Sequence, residues 1–459
     1  MRTPPAAASL AAFRQATYDQ VLGRRKDTLR DLLDAVLVRP GRASLVQRTL
    51  APVFRRGWAS ASDALTHGTL DEAACRRLCL AHLPPPAPAT RPVWALDGTS
   101  WPRPAAVTSP ERTWTYRPLP GLPAEGLVAG WEFQWLMAVP EPGSSWVLPL
   151  DVARRAPTAG TPTQLALSQL RRSLAALPAD APRPVVTLDS GYEALALAAA
   201  VQHPDPAQRL VCDVLVRLNP RRVLWTAPPP YPGAGRPRQY GDKLCLWRPE
   251  TLPPPDASST LTDARHGQVT VSVWRQVRQR PRPDLSLSLV RIQVARLPRA
   301  GRTPAPLWLA WGGTTEPADP GDYWHWYQQR FTIEQGFRYL KQHLGWTAIR
   351  VRAPHAAERW SWLMALALWE LWLARTVVGE QRLPWERAAV SRAPTPGQVQ
   401  RGIGEIVASV GSPARAVRPR GKSPGRAPGT SPGPAPRQPV VRRRPAGAKR
   451  RDKPRRRAA

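Results

Sequence analysis

Between Val93 and Leu218 the chain alternates short apolar runs and helical periodicities in an order that few folds accept. Val93–Leu96, Arg112–Arg117 and Trp131–Val139 read as strands, with Trp146–Val152 extending the second or third hairpin. Leu165, Leu167, Leu170 and Leu174 then mark a helix over Thr163–Leu177. A strand over Val185–Leu188, a helix over Glu193–Val201 and a strand over Leu210–Leu218 complete the series. Two of the strands run into an aspartate, Asp97-Gly98-Thr99 and Asp189-Ser190-Gly191-Tyr192. In α/β sheets ligands and chemistry gather at strand ends, so both aspartates are candidates. An Asp before Gly or Ser-Gly is also ordinary turn chemistry, and neither residue decides the matter alone.

A third carboxylate follows. Tyr327, Arg330, Glu334 and Lys341 stand at i, i+3, i+7 and i+14, which on one helix over 322–344 places all four within an arc of roughly 60°. One face then carries a carboxylate, two cations and a phenol. The carboxylate suits a divalent metal, and Arg, Lys and Tyr suit phosphate oxygens. Glu334 between Arg330 and Arg338 also reads as a surface ion pair. Two strand-ending aspartates and a helical glutamate, in that order, can converge on a pair of divalent cations about 4 Å apart. Such a pair activates a water or a 3′-hydroxyl and stabilises the leaving oxygen. Hard oxygen ligands select Mg²⁺, or Mn²⁺, so two such ions are the expected cofactors.

Charge agrees with a polyanionic partner. The 459 residues carry 66 Lys and Arg against 33 Asp and Glu, a net charge of +33. Nucleic acid is the commonest partner for such a surplus. Only six of the basic residues are Lys, and Ala and Pro abound, a bias that a GC-rich genome also produces. Cys75 and Cys79 lie one helical turn apart without a second pair or a His at zinc-ligand spacing, which fits reduced thiols. Residues 1–15 lack the apolar stretch of a signal peptide. The most apolar run, Trp360–Leu373, is too short to span a bilayer and contains Glu370, so it reads as a buried helix. A soluble protein of the cytoplasm, not associated with membrane, is expected.

The rest of the chain divides around this centre. Residues 1–83 read as helical, with helices at Ser44–Phe54, Ala59–His67 and Leu70–His82, the last opened by Asp71. With Arg55, Arg56, Arg76 and Arg77 they suit either a helix-turn-helix-like DNA reader or a helical cap with solvated arginines. Residues 84–92 form a proline-rich linker. Residues 219–315 read as a β-rich insertion with runs at Lys243–Trp247, Val269–Arg275, Ser286–Val294 and Leu307–Trp311. A helix follows Pro354 to about Arg375, and another is expected over Thr395–Val410 within residues 377–410, with Thr395 as its cap. Residues 411–459 hold 16 Lys or Arg, one acidic residue and ten prolines, a disordered tail suited to nonspecific phosphate attraction. The first 410 residues remain basic at net +18.

Strand–strand–strand–helix–strand–helix–strand is the order of a ribonuclease H-like domain, here over residues 93–218 and 316–376. The segment from Tyr327 through Arg330 and Glu334 to Lys341 has the spacing Y-x₂-R-x₃-E-x₆-K. It resembles the signature of bacterial DDE insertion-sequence transposases of the Tyr-Arg-Glu-Lys class, with Leu96–Thr99, Leu188–Tyr192 and Leu215–Leu218 as supporting pieces. The resemblance covers roughly residues 93–375. It implies that Asp97, Asp189 and Glu334 hold the catalytic metals, and that Tyr327, Arg330 and Lys341 contact phosphates near the scissile end. Relatives also carry a strand insertion before the Glu helix, and in some a tryptophan from it stacks on a flipped base while a hairpin end forms. Trp308 and Trp311 are the candidates here.

The reading that follows is a transposase that binds its element's terminal inverted repeats, cleaves there and transfers the strand to target DNA, as a homodimer bridging two ends. An endonuclease of the same fold without strand transfer, and a catalytically inactive DNA-binding relic, are the alternatives.

Overall fold

The structure, a computed structural model, describes residues 5–88, 90–116, 126–233, 235–280, 282–297, 304–379, 381–386, 393–417, 425, 427–430 and 433–443. The N-terminal helices are α1 (Pro5–Ala16), which runs on through a wider turn to Val21, α2 (Lys26–Val38), α3 (Leu45–Arg48), α4 (Trp58–His67) and α5 (Glu72–Ala81). Next come β1 (Val93–Pro102), β2 (Thr113–Tyr116), β3 (Leu127–Val139), β4 (Leu148–Arg154), α6 (Pro162–Leu174), β5 (Val185–Leu188), α7 (Ala194–Val201) and β6 (Asp213–Arg217). The stretch after them forms β7 (Val223–Trp225), β8 (Lys243–Cys245), β9 (Ala257–Asp263), β10 (Gly267–Gln279), β11 (Arg282–Val294) and β12 (Leu307–Trp311). The last helices are α8 (Gly321–Gln329), α9 (Thr332–Gln342), α10 (Pro354–Ala374) and α11 (Pro396–Val410).

These elements make a mixed α/β fold around one large mixed sheet. Its order is β2-β3-β1-β5-β6-β12-β11-β10-β7-β8, with β4 also on β3 and β9 also on β10. The pairs β1–β5 and β5–β6 are parallel, and the remaining pairs are antiparallel. The expected insertion therefore does not stack as a layer of its own. Its strand β12 pairs antiparallel with β6, Leu309 opposite Arg217 and Trp311 opposite Leu215, and prolongs the sheet.

Parallel pairing sets the centre of the molecule. Val93–Leu96 match Val185–Leu188 residue for residue. Asp97 and Asp189 are each the next residue, so the ladder delivers them side by side. Asp97 is not at a strand end, however. After leaving β5, β1 continues to Pro102 against β3, because Trp101 and Trp131 face each other in a wholly buried aromatic layer. Trp131, Phe133 and Trp135, at alternate positions of β3, with Trp101 packed on the first two, draw the strand on through a sequence that reads locally as a turn.

Trp308 and Trp311 are corrected as base-stacking candidates, since both are only 2% exposed. β12 lies in the sheet interior and both of its faces are covered. Trp308 packs on Trp274 and beneath Arg291, and Trp311 lies 5.4 Å from the rings of both Tyr323 and Trp326.

Helix α10 is buried almost throughout, as its apolar run requires. Its buried acid, Glu370, accepts from Arg14 Nη1 at 2.6 Å and from Arg30 Nη1 at 2.6 Å. Both arginines also bond Asp34, at 2.8 and 2.6 Å, closing a four-residue ionic network in the core. The N-terminal arginines expected to face DNA or solvent are engaged in part within the protein. Arg55 and Arg56 pair with Asp31, and Arg76 lies 3.4 Å from Asp151 of β4. The helix expected over Ser44–Phe54 is only the four residues of α3, with a capping box between Ser44 and Gln47. Asp71 and Thr395 cap α5 and α11 as their residue types predict.

Part of the segment expected to be a disordered tail has defined contacts. Ala414 is buried, and the Arg415 N–H donates to Asp27 at 3.0 Å. The Gln438 and Val441 N–H groups donate to Val107 O and Arg112 O, just before β2, and Val441 bridges Thr113. Residues 418–424, 426, 431–432 and 444–459 of that segment fall outside the described residues.

Candidate active site

The helix expected over 322–344 is two helices. Between α8 and α9 the backbone tightens into i→i+3 bonds, from Arg330 N–H to Tyr327 O (3.1 Å) and from Ile333 N–H to Arg330 O (3.1 Å). Both Arg330 and Phe331 stay in the right-handed helical region, so the chain turns without unwinding. Tyr327 then closes one helix, Arg330 sits at the junction and Glu334 lies in the first turn of the next. Gly336 allows α9 to approach the sheet: a Cβ there would lie 2.4 Å from Val147 Cγ2.

One guanidinium gathers all three acids. Arg330 Nη2 is 2.9 Å from Asp97 Oδ2 and 3.9 Å from Asp189 Oδ2, while Nη1 is 3.7 Å from Glu334 Oε1. Arg330 is buried, Asp97 mostly so, and Glu334 opens to solvent with 60% of its side chain exposed. The aspartates are also fixed by their own turns. Gly98 N–H donates to Asp97 Oδ1 at 2.7 Å, and Gly191 N–H donates to Asp189 Oδ1 at 2.8 Å. Lys341 Nζ donates to Thr99 Oγ1 at 2.6 Å, two residues along β1 from Asp97 and on the same face.

Burial raises the Asp97 carboxyl to about 6. Arg330 opposes the rise, whereas the charges of Asp189 and Glu334 add to it. Burial likewise pushes the Tyr327 phenol up to about 12, with Arg330 and Arg217 pulling the other way. The Tyr327 hydroxyl is wholly buried and has no hydrogen-bond partner among the described residues. Tyr327 and Arg330 thus lie beneath the surface, and the phosphate contacts expected of them are not surface contacts in this state.

Two further groups join the site that sequence reasoning did not assign. Arg217, exposed at the end of β6, is near enough to Tyr327 to affect its ionisation. The Tyr192 phenol is buried among Asp97, Asp189 and Glu132, which with burial push it well above its ordinary value. Both lie in the segments Leu188–Tyr192 and Leu215–Leu218 that support the resemblance, at or just after strands of the central series. A cavity of about 1360 Å³ opens among residues such as Pro84, Pro182, His266 and Phe331, and none of the three carboxylates lines it.

The donor set fits a hard divalent cation, being three carboxylates with one exposed to solvent. As they stand, no three His, Cys, Asp or Glu among the described residues are close enough together to hold a metal ion. Arg330 supplies the positive charge between them instead. A cation bound by Asp97 must displace a proton below pH 6. Mn²⁺ affinity, followed by calorimetry, is therefore expected to fall by about tenfold per pH unit below 6. Equal affinity at pH 7.5 and 5 would remove Asp97 from the set.

The mixed α/β fold with its large mixed sheet is consistent with a nuclease-type enzyme. The sequence matches the DDE superfamily endonuclease family over residues 17–281, more than half of the chain, and the protein belongs to that family. Asp97 and Asp189 lie within the match, whereas Glu334 and the residues around it lie beyond it. No curated protein matches the chain. No helix among the described residues is long and apolar enough to cross a membrane.

Proposed function

We propose that the protein is a DDE transposase that cleaves DNA at the ends of its own insertion element and joins the freed strand to target DNA. The observation that carries this reading is the contact of Arg330 with Asp97, Asp189 and Glu334, three acids separated by up to 237 positions. Strand order β4-β3-β1-β5-β6, antiparallel and then parallel, supports a ribonuclease H-like core. Asp97, Asp189 and Glu334 would hold Mg²⁺ or Mn²⁺, which when bound supplies Lewis-acid activation of water or a 3′-hydroxyl.

The remaining roles fall to the chain itself. Lys341 and Arg217 hold phosphate oxygens at the mouth, and Arg330 keeps the acids together before metal and DNA arrive. The Tyr327 hydroxyl gains a phosphate partner when DNA is seated. Terminal inverted repeats and target DNA are the partners, with a homodimer bridging two ends.

The test is incubation of labelled duplex bearing the repeats that flank the gene with Mg²⁺ or Mn²⁺, comparing native protein with Glu334→Gln. Metal-dependent nicks at the repeat boundary, followed by joined products on an added target plasmid, are expected and vanish in the variant. Nicks without joining would make the protein an endonuclease of the same fold. Binding without cleavage would make it a DNA-binding relic.

A further inference from the structure

The face of the sheet that carries Asp97 continues past the carboxylates. Register sets Asp97 opposite Trp135, Thr99 opposite Phe133 and Trp101 opposite Trp131, so these six side chains share one face. The next pairs on that face belong to β2 and β3, with Trp114 opposite Ala129 and Tyr116 opposite Leu127. The inner part of the face has a roof. Trp346, in the loop after α9, lies 5.4, 5.4 and 5.5 Å from the rings of Trp101, Phe133 and Trp135. Trp131 lies 5.0 Å from the guanidinium of Arg103, which holds the carbonyls of Ile349 and Val351. There the roof stops. Trp114 is 47% exposed, Tyr116 57% and Leu127 58%, while Thr113 and Thr115 on the opposite face of β2 are buried. A strand that buries its threonines and leaves its aromatic rings in water reverses the usual arrangement, and a cluster of exposed apolar side chains marks a binding surface.

The way from the carboxylates to these rings is lined with cations. Between Glu334 and Glu358 the sequence has no acid, and it has Arg338, Lys341, Arg350 and Arg352. Arg338 is exposed one turn beyond Glu334 on the same side of α9, and Lys341 bonds Thr99. Arg350 and Arg352 are exposed on the segment held by Arg103, and Arg352 Nε donates to Thr108 O at 3.3 Å, in the loop between β1 and β2. At the rise of a strand, Trp114 stands about 20 Å and Tyr116 about 27 Å along the sheet from the level of Asp97.

We propose that Trp114 and Tyr116 form a stacking platform for an unpaired DNA strand, whose backbone runs to the carboxylates past Arg352, Arg350, Lys341 and Arg338. This rests on the DNA-cleaving reading above. Stacked DNA rises about 3.4 Å per nucleotide, so the platform holds bases roughly six to eight nucleotides from the reacting phosphate. Rings on a sheet surface take bases face to face, and a duplex keeps those faces covered, so the strand must be unpaired there. Every base has a π-face, so the platform accepts any sequence.

The test uses the full chain. Labelled oligo(dT) of about 20 nucleotides and a duplex of the same length are titrated at about 0.2 M salt, where phosphate attraction is weakened. Trp114→Ala with Tyr116→Ala is expected to weaken oligo(dT) binding by about tenfold or more, and duplex binding by less than about twofold. Trp114→Phe with Tyr116→Phe keeps both rings and is expected to restore most of the loss. Arg350→Gln is expected to lower the slope of log affinity against log salt for oligo(dT) by about 0.7, the value of one phosphate contact. Native oligo(dT) affinity in the double alanine variant overturns the platform, and so does an equal loss on the duplex. An unchanged slope in Arg350→Gln overturns the path given to the backbone. A folded native chain that binds duplex but not oligo(dT) overturns the platform alone. One that binds neither overturns the DNA-cleaving reading, and the platform with it.

Discussion

Arg330→Ala should unfold far more easily at pH 8 than at pH 5, and should lose DNA cleavage by about a hundredfold or more. Arg330 is the one cation within 4 Å of Asp97, Asp189 and Glu334 among the described contacts. Its loss leaves buried negative charge without a partner, a defect of about 3–5 kcal/mol. Asp97 sets the pH dependence. Its carboxyl stands near 6 in the folded chain, above its ordinary value of 3.8, so its contribution to stability is present at low pH and disappears as pH rises through 6. Without Arg330 the folded value moves higher and the penalty at pH 8 grows, while at pH 5 protonation relieves it. Thermal melts at the two pH values check this. An arginine that served packing alone would cost the same at both, and such a result would end the clamp interpretation.

Glu370→Ala is expected to lower the melting temperature by roughly 10 °C, or to prevent folding. The carboxylate sits inside α10 with Arg14 and Arg30, and all three side chains are no more than 1% exposed. Truncation leaves two guanidiniums to share Asp34, and breaking such a network costs about 3–5 kcal/mol. Calorimetry of Glu370→Ala beside Glu358→Ala separates this network from an ordinary ion pair, because Glu358 is a third exposed and pairs at the rim with Arg154. Similar losses from both would show that the core network is not what joins α1 and α2 to α10.

Much of the centre was legible because it rests on local patterns. β5 and β12 fall at the positions their apolar runs predict, and the caps Asp71 and Thr395 follow from their residue types. The acids were chosen from strand and helix positions, and the fold brings those same three to one guanidinium. Long-range packing hid the rest. Nothing near Asp97-Gly98 shows that Trp101 will draw β1 onward against Trp131, so the strand reads as ending there. Trp308 and Trp311 look like free aromatics in a basic, proline-rich stretch until β12 is placed between β6 and β11. β7 and β9 lack apolar alternation strong enough to reveal them. The proline- and arginine-rich composition of residues 433–443 concealed two backbone bonds, from Gln438 to Val107 and from Val441 to Arg112, just before β2.

The register of Leu96 with Leu188 also separates the site's parts by how they can move. Asp97 and Asp189 ride on one hydrogen-bonded ladder, so their spacing changes only if the sheet itself shears. Glu334 belongs to another body, carried by α9 and joined to α8 through three-residue turns around Arg330. The distance from Glu334 to the two aspartates is therefore set by how α9 packs, through Gly336 on Val147 and Tyr339 on Gln400, and not by the ladder.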